Sequence, residues 1–107
     1  MDEAEEISVN MIQQHFELVP SSAETKENLQ QVRALLVDKI DYLLSHDFEK
    51  LLWILYRVDV NETKAKEMLV QHSAENPAEI LADLVIEREM QKAITRIKFR
   101  KDDSHSL

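Results

Sequence analysis

The chain contains no glycine and no cysteine, and only two of its 107 residues are proline. Glycine supplies the positive-φ positions of tight hairpins and allows close backbone approach to phosphate, so P-loops, dinucleotide-binding turns and nucleophile elbows are not expected. The lack of cysteine excludes disulfides, thiolate metal sites and cysteine nucleophiles, and it fits a reducing compartment. These absences remove many enzyme classes.

Composition and charge indicate a small soluble domain. Hydrophobic residues make up 44% and charged residues 32% of the chain, enough apolar surface for one modest core. The first residues, MDEAEE, are acidic where a secretory signal would be basic, and no apolar run approaches the roughly 20 residues that span a bilayer. We therefore expect a cytoplasmic location without membrane contact. The net charge of −8 disfavours nonspecific binding of nucleic acid.

Apolar spacing predicts an all-α fold, a single-domain helical bundle of about five helices within residues 1–100. The alternation at Ile7, Val9 and Met11 also suits a strand, but no second strand candidate exists to pair with it. We expect helices two, three and five to form the main core, with helices one and four packed around it. The expected helices are Ile7–Val19, Ala23–Leu44, Phe48–Val58, a short one to about His72, and Pro77 to about Phe99, followed by a polar tail at 101–107 that we expect to be disordered.

Capping signals suggest where these helices begin. Asn76, Pro77 and Glu79 form the strongest start signal, since they combine a cap, a proline at the first helical position and an acidic first turn. Weaker capping-box spacings join Ser21 to Glu24 and Asp59 to Glu62, and they predict the starts of helices two and four.

The segment FEKLLWILYRV, residues 48–58, is the most apolar predicted helix and holds the only tryptophan. A helical wheel turns one apolar face inward and places Trp53 toward Glu49 and Arg57 on the polar margin. The residues predicted to face inward are Phe48, Leu51, Leu52, Ile54, Leu55 and Val58. This helix should organise the bundle.

Two interpretations of its margin stay open. Trp53, Tyr56 and Arg57 could form a protein-binding patch, because aromatic residues and arginine are enriched in interface hot spots. Alternatively, another helix covers Trp53 and Arg57 stacks on it as a cation–π pair, and we favour this second interpretation.

The second half of the last helix carries a narrow apolar seam. The seam spans only about 80° of the helical wheel, closer to a coiled-coil stripe than to a globular face. We therefore expect it to pair with another helix, and we expect a homodimer through either this seam or the central helix. The seam consists of Ile86, Met90, Ile94 and Ile97.

A basic row occupies another side of the same helix at four-residue spacing: Arg88, Lys92, Arg96 and Arg100. Neighbouring like charges destabilise an isolated helix by a few tenths of a kcal/mol per pair, so an acidic group could relieve them. The N-terminal acids Asp2, Glu3, Glu5 and Glu6 are one candidate and nucleic acid is another. The simpler interpretation, which we favour, is a solvated face with cations near a helix C-terminus.

No metal or catalytic motif is recognisable. The Glu-x-x-His pairs of di-iron bundles are absent, and His46 with Glu49 is a reversed pair across a predicted turn. His15 lies on the apolar face of helix one, where we expect a hydrogen-bonded core histidine, and His72 reads likewise or as a partner of a helix C-terminus. The serines cluster at turns and in the tail, and capping explains the turn serines better than catalysis does. We expect no cofactor.

The phrases DYLLSHDFEKLLWILYRVD and NPAEILADLVIERE resemble a group of small, uncharacterised, all-helical proteins encoded in bacterial genomes. The resemblance covers roughly Asp41 to Glu89. It implies a helical fold and a bacterial cytosolic origin, and it brings no activity, ligand or functional residue.

These observations predict a noncatalytic protein rather than an enzyme, an interaction module that binds itself or another protein. One alternative is a nucleic-acid-associated regulator that uses the basic row. Another is a small enzyme with an unrecognised carboxylate site, which paired buried carboxylates in a cleft would support.

Overall fold

The protein is described here by a computed structural model that covers residues 2–18 and 28–105, with side chains as far as residue 100. Its described residues form five α-helices and no strand, so the predicted all-α bundle is confirmed. The helices are α1 (Glu3–Phe16), α2 (Leu29–His46), α3 (Phe48–Val58), α4 (Glu62–Gln71) and α5 (Pro77–His105).

Side-chain caps determine where the first two helices begin. Asp2 accepts a hydrogen bond from the Glu5 amide at 2.8 Å, so α1 begins at Glu3, earlier than predicted. Asn28 and Gln31 form a reciprocal capping box, with both hydrogen bonds at 2.9 Å. Helix α2 therefore begins at Leu29, and the predicted start near residue 23 is wrong. The expected box between residues 21 and 24 lies outside the described residues.

Two helices end in a left-handed residue although the chain has no glycine. Glu17 after α1 has a φ of 54° and Asp59 after α3 has a φ of 68°. In each case the amides of this residue and the next bond back to carbonyls of the last turn, as in a Schellman motif. Asp59 thus ends α3, and the prediction that it caps α4 is wrong. Asn61 has that role, because its side chain accepts the Lys64 amide at 2.9 Å.

The last helix begins where the sequence indicates. Asn76 accepts the Ala78 amide at 3.0 Å, and Pro77 occupies the first helical position. The helix continues to His105, so the predicted end near Phe99 is too early and the polar segment is helical as far as that residue.

The core lies between α5 and the first three helices. Helix α1 packs along α5 about as extensively as α2 does and buries Ile12 and Phe16 completely. The prediction that α1 is peripheral is therefore wrong, whereas α4 is peripheral as expected, with no fully buried residue. Helix α3 packs on α2, α5 and α1, and its other side is exposed.

Candidate protein-interaction surface

Helix α3 buries a narrower face than predicted. Leu51, Ile54 and Val58 are buried, as expected, but Phe48 is 53% and Leu52 50% exposed, so the prediction that these two face inward is wrong. The exposure of these two side chains results from how the helices pack in the tertiary structure. No Cα atoms of α3 and α4 lie within 8 Å of each other in the described residues, because α4 packs on α5 instead.

The divergence of α3 and α4 opens an apolar groove of about 460 Å³. We call it the α3–α4 groove. Phe48, Leu52 and Tyr56 line one wall at four-residue spacing, and α4 supplies the other wall. The groove residues on α4 and α5 include Ala65, Leu69 and Leu81. A groove with two helical walls and an apolar floor has the shape that accepts side chains of a third helix.

Trp53 lies beside this groove and is 57% exposed, and Tyr56 is 83% exposed. The central carbon of the Arg57 guanidinium lies 4.8 Å from the centre of the Trp53 ring, within cation–π range. The predicted stacking is therefore confirmed. The expectation that another helix covers Trp53 is wrong for the described part of the chain.

The apolar seam of α5 is partly used within the chain. Ile86 packs against the core, and the Ser8 hydroxyl of α1 donates a hydrogen bond to the Met90 sulfur at 3.1 Å. Ile97 is partly buried and Ile94 is 55% exposed. Helix α1 already covers part of the seam, so less of the seam is available to a partner helix. The pairing of the seam with a partner helix stays a prediction.

Arg88 and Lys92, the first two residues of the basic row, hold the C-terminus of α3. The Lys92 ammonium donates to the Val58 carbonyl at 2.8 Å, and Arg88 donates to both the carbonyl and the carboxylate of Asp59 at 3.1 Å. Free carbonyls and the negative end of the helix dipole attract cations at this position. These contacts offset the repulsion between the two charges.

The other half of the row faces α1 and solvent. Arg100 forms an ion pair with Glu3, so the predicted contact between the row and the N-terminal acids is found at this pair. Arg96 is exposed and makes no ion pair with the part of the chain that the structure describes. Three of the four cations thus have partners within the chain.

Sequence reasoning missed Glu89, whose side chain is only 2% exposed. The Lys92 ammonium lies 2.6 Å from Glu89 Oε1, close enough for an ion pair but without the alignment of a hydrogen bond. Glu89 lies four residues after buried Val85 and four before buried Ala93. This spacing was the only sequence signal that Glu89 lies on the buried side of α5. A carboxylate in a row of apolar residues is still expected to face solvent unless a neighbouring cation is known.

His15 approaches the same carboxylate from α1. Its side chain is mostly buried, as predicted, but Nε2 lies 3.9 Å from Glu89 Oε1, too far for the expected hydrogen bond. Burial lowers the pKa of His15; the Glu89 charge opposes this effect, and the nearby Lys92 and Arg57 charges reinforce it. The arrangement suits a neutral, packed imidazole near pH 7.

A polar cleft of about 280 Å³ lies between α2, α4 and α5. Its charges are paired across the helices: Arg33 binds both Asp83 oxygens at 2.7 and 3.2 Å, and Lys64 binds Glu87 at 2.8 Å. The hydrogen bond to Asp83 raises the pKa of Arg33. His72 contacts Glu75 at 2.7 Å, not a core group. These ion pairs tie α2 and α4 to α5, and their exposure limits the contribution of each pair to stability.

Two particular arrangements, a pair of buried carboxylates and a metal-binding cluster, are not found among the described residues. Glu89 is their one buried carboxylate, so they lack the paired buried carboxylates that would support a hydrolytic site. Nor do the described residues group three or more histidines or carboxylates at metal-binding distance. Of the features described, the exposed side of α3 differs most from an ordinary solvated surface.

None of the helices in the described ranges combines the length and apolarity required to cross a bilayer. Comparison of the chain with protein-family models, curated proteins and solved structures finds no match.

Proposed function

We propose that this protein is a noncatalytic interaction module that binds another protein chain through the exposed face of α3 and the α3–α4 groove. The observation that supports this proposal best is one surface helix with four large apolar side chains at least half exposed. A surface helix normally turns polar residues outward. The four residues are Phe48, Leu52, Trp53 and Tyr56.

The area involved is large for so small a protein. From their exposed fractions, these four side chains present roughly 500 Å² of surface. The largest apolar patch on a typical monomer is about 300–600 Å² and is often functional. Hydrophobic transfer at about 25 cal/mol per Å² would favour covering such a patch by several kcal/mol before the costs of association.

The composition of the patch suits protein recognition. Tryptophan, tyrosine and arginine dominate interface hot spots because they combine large contact area with directed polar groups. Trp53 and Tyr56 are adjacent to Arg57, and the stacking of Arg57 on Trp53 orders both side chains before binding. Such preorganisation lowers the entropy cost of association.

A nucleic-acid-associated role has weaker support. Arg88, Lys92 and Arg100 already contact α3 or α1, which leaves Arg96 as the member of the row without an ion pair among the described residues. A cytosolic location is part of the proposal, and the absence of cysteine supports it.

Site-specific photo-crosslinking in the producing cell tests the proposed function. A benzophenone amino acid replaces Leu52 on α3, and in a control chain it replaces Val70, which is 76% exposed on α4 and does not line the groove. We expect a discrete protein adduct from position 52 and none, or a diffuse background, from position 70. If position 52 gives no adduct beyond that background, the proposed function is wrong.

A further inference from the structure

We infer that the partner covering this face is a second copy of the same chain, with the two α3 helices packed antiparallel about a two-fold axis that passes near Trp53. This inference rests on the proposed function, because it names the partner of the same surface. It is carried by the placement of two charged residues relative to the tryptophan.

Glu49 lies four residues before Trp53, and Arg57 lies four residues after it. Each separation is about one helical turn, roughly 6 Å along the axis. Across an antiparallel two-fold axis, a residue before the axis in one copy faces the residue at the same distance after it in the other. Glu49 of each copy would therefore face Arg57 of the other, and the interface would contain two identical ion pairs.

Both groups are available for this contact. Glu49 is exposed and makes no ion pair or side-chain hydrogen bond within the described residues. Arg57 is also exposed, and its guanidinium stacks on the Trp53 ring without a carboxylate partner in the same part of the chain. Lys50, one residue from Glu49, differs because it already pairs with Glu17 at 3.3 Å.

Charge also favours this face over other surfaces for self-association. The chain carries a net charge of −8, so two copies repel each other over most of their surface. The exposed side of α3 carries one charge of each sign, Glu49 and Arg57, among four large apolar residues. A second copy places its Arg57 against Glu49 and its Glu49 against Arg57, so the interface gains no net charge.

The available area predicts a weak dimer. Phe48 lies about 140° around the helix from Trp53 and stays outside this contact. Leu52, Trp53 and Tyr56 of each copy can then cover roughly 400 Å², about 800 Å² in total, which is the size of a weak association. In an antiparallel pair, the groove side of one α3 helix lies beside the groove side of the other. The two α3–α4 grooves are then neighbours, and Leu52 and Tyr56 of both copies contribute to the interface. We expect a dissociation constant on the order of micromolar.

Sedimentation equilibrium on four chains tests the inference: the natural sequence, Glu49→Arg, Arg57→Glu and the double exchange. The natural chain should reach twice its mass of 12.5 kDa at concentrations of about 100 μM. Each single reversal converts two attractive pairs into two repulsive ones and should weaken the dimer at least about tenfold. The double exchange restores both pairs and should return the dissociation constant to near the natural value.

General charge repulsion would give a different pattern. Glu49→Arg changes the net charge from −8 to −6 and Arg57→Glu changes it to −10, so general repulsion would move the two variants in opposite directions. Ion pairing across the two-fold axis predicts that both weaken the dimer. All substituted side chains are exposed, and an unchanged circular dichroism spectrum shows that each variant is folded.

Two results would overturn the inference and leave the proposed function standing. One is a dimer that ignores the single reversals or is not restored by the double exchange, since the antiparallel arrangement would then be wrong. The other is a natural chain that stays monomeric while position 52 crosslinks to a different protein. A monomer without any adduct from position 52 would overturn both proposals.

Discussion

Replacing Lys92 by methionine should destabilise the protein strongly although lysine is usually a surface residue. Its ammonium is the cation within ion-pair distance of the Glu89 carboxylate, which is 2% exposed, and it also donates to the Val58 carbonyl at 2.8 Å. Methionine keeps most of the side-chain length and removes both contacts. Glu89 would then be a buried charge without its cation, next to a mostly buried imidazole.

The expected loss follows from the contacts. Removing one partner of a buried ion pair costs about 3–5 kcal/mol, and the 27% exposure of Lys92 argues for the lower end of that range. We therefore expect the free energy of unfolding to fall by about 3 kcal/mol. In the double variant Lys92→Met with Glu89→Met, two well-sized apolar side chains replace the pair, and the loss should shrink to about 1 kcal/mol, the cost of the lost Val58 hydrogen bond.

Urea denaturation followed by circular dichroism measures these energies in a double-variant cycle. Lys98→Met is the matched control, because Lys98 is exposed on the same helix and its loss should change stability by less than about 0.5 kcal/mol. A cost of less than about 1 kcal/mol for Lys92→Met, or a double variant as unstable as the sum of the two single variants, would show that the two side chains do not form a buried ion pair.

Three further predictions concern α1 and the start of α2. Glu17→Gly should stabilise the protein by about 0.5 kcal/mol, because glycine adopts the left-handed conformation without strain and the exposed ion pair with Lys50 that is lost contributes little. Gln14→Gly within α1 should instead cost about 1 kcal/mol, and thermal melts that show equal losses would contradict this. Burial lowers the pKa of His15, so the unfolded chain takes up a proton before the folded chain does as the pH falls below about 6.5. The folded state therefore loses stability between about pH 7 and 5. In His15→Gln, the urea midpoint should fall less over the same pH range. A constant difference between the two chains over that range would dispose of the idea. Asn28→Ala should cost about 1 kcal/mol by loss of the capping box, and a melting temperature equal to that of the natural chain would count against it.

Helix existence was predictable because it depends on local spacing. The start of α5 was correct since Asn76 and Pro77 combine two independent start signals. The start of α2 was wrong because two capping-box spacings lie seven residues apart, at 21 and 28, and local sequence does not rank them. The C-terminal caps were not predictable for a different reason, because Glu17 and Asp59 adopt the left-handed conformation that is usually expected of glycine.

The exposed face of α3 was not predictable from its own sequence. Periodicity shows that Phe48 and Leu52 are apolar, but whether they are covered depends on where α4 packs. Helix α4 packs against α5, which lies further along the chain, and the pair between Lys64 and Glu87 accompanies that packing. The burial of Glu89 likewise depends on Lys92 and on the approach of α1.

The most direct test of the account is the accessibility of Trp53, the only tryptophan in the chain. Iodide quenching and the emission maximum are measured on the same protein, first diluted until sedimentation shows a monomer and then concentrated until it associates. We expect red-shifted, readily quenched emission in the monomer, followed by a blue shift and protection on association. Trp53 that is already shielded in the proven monomer, or that stays fully quenchable in the associated state, would contradict it.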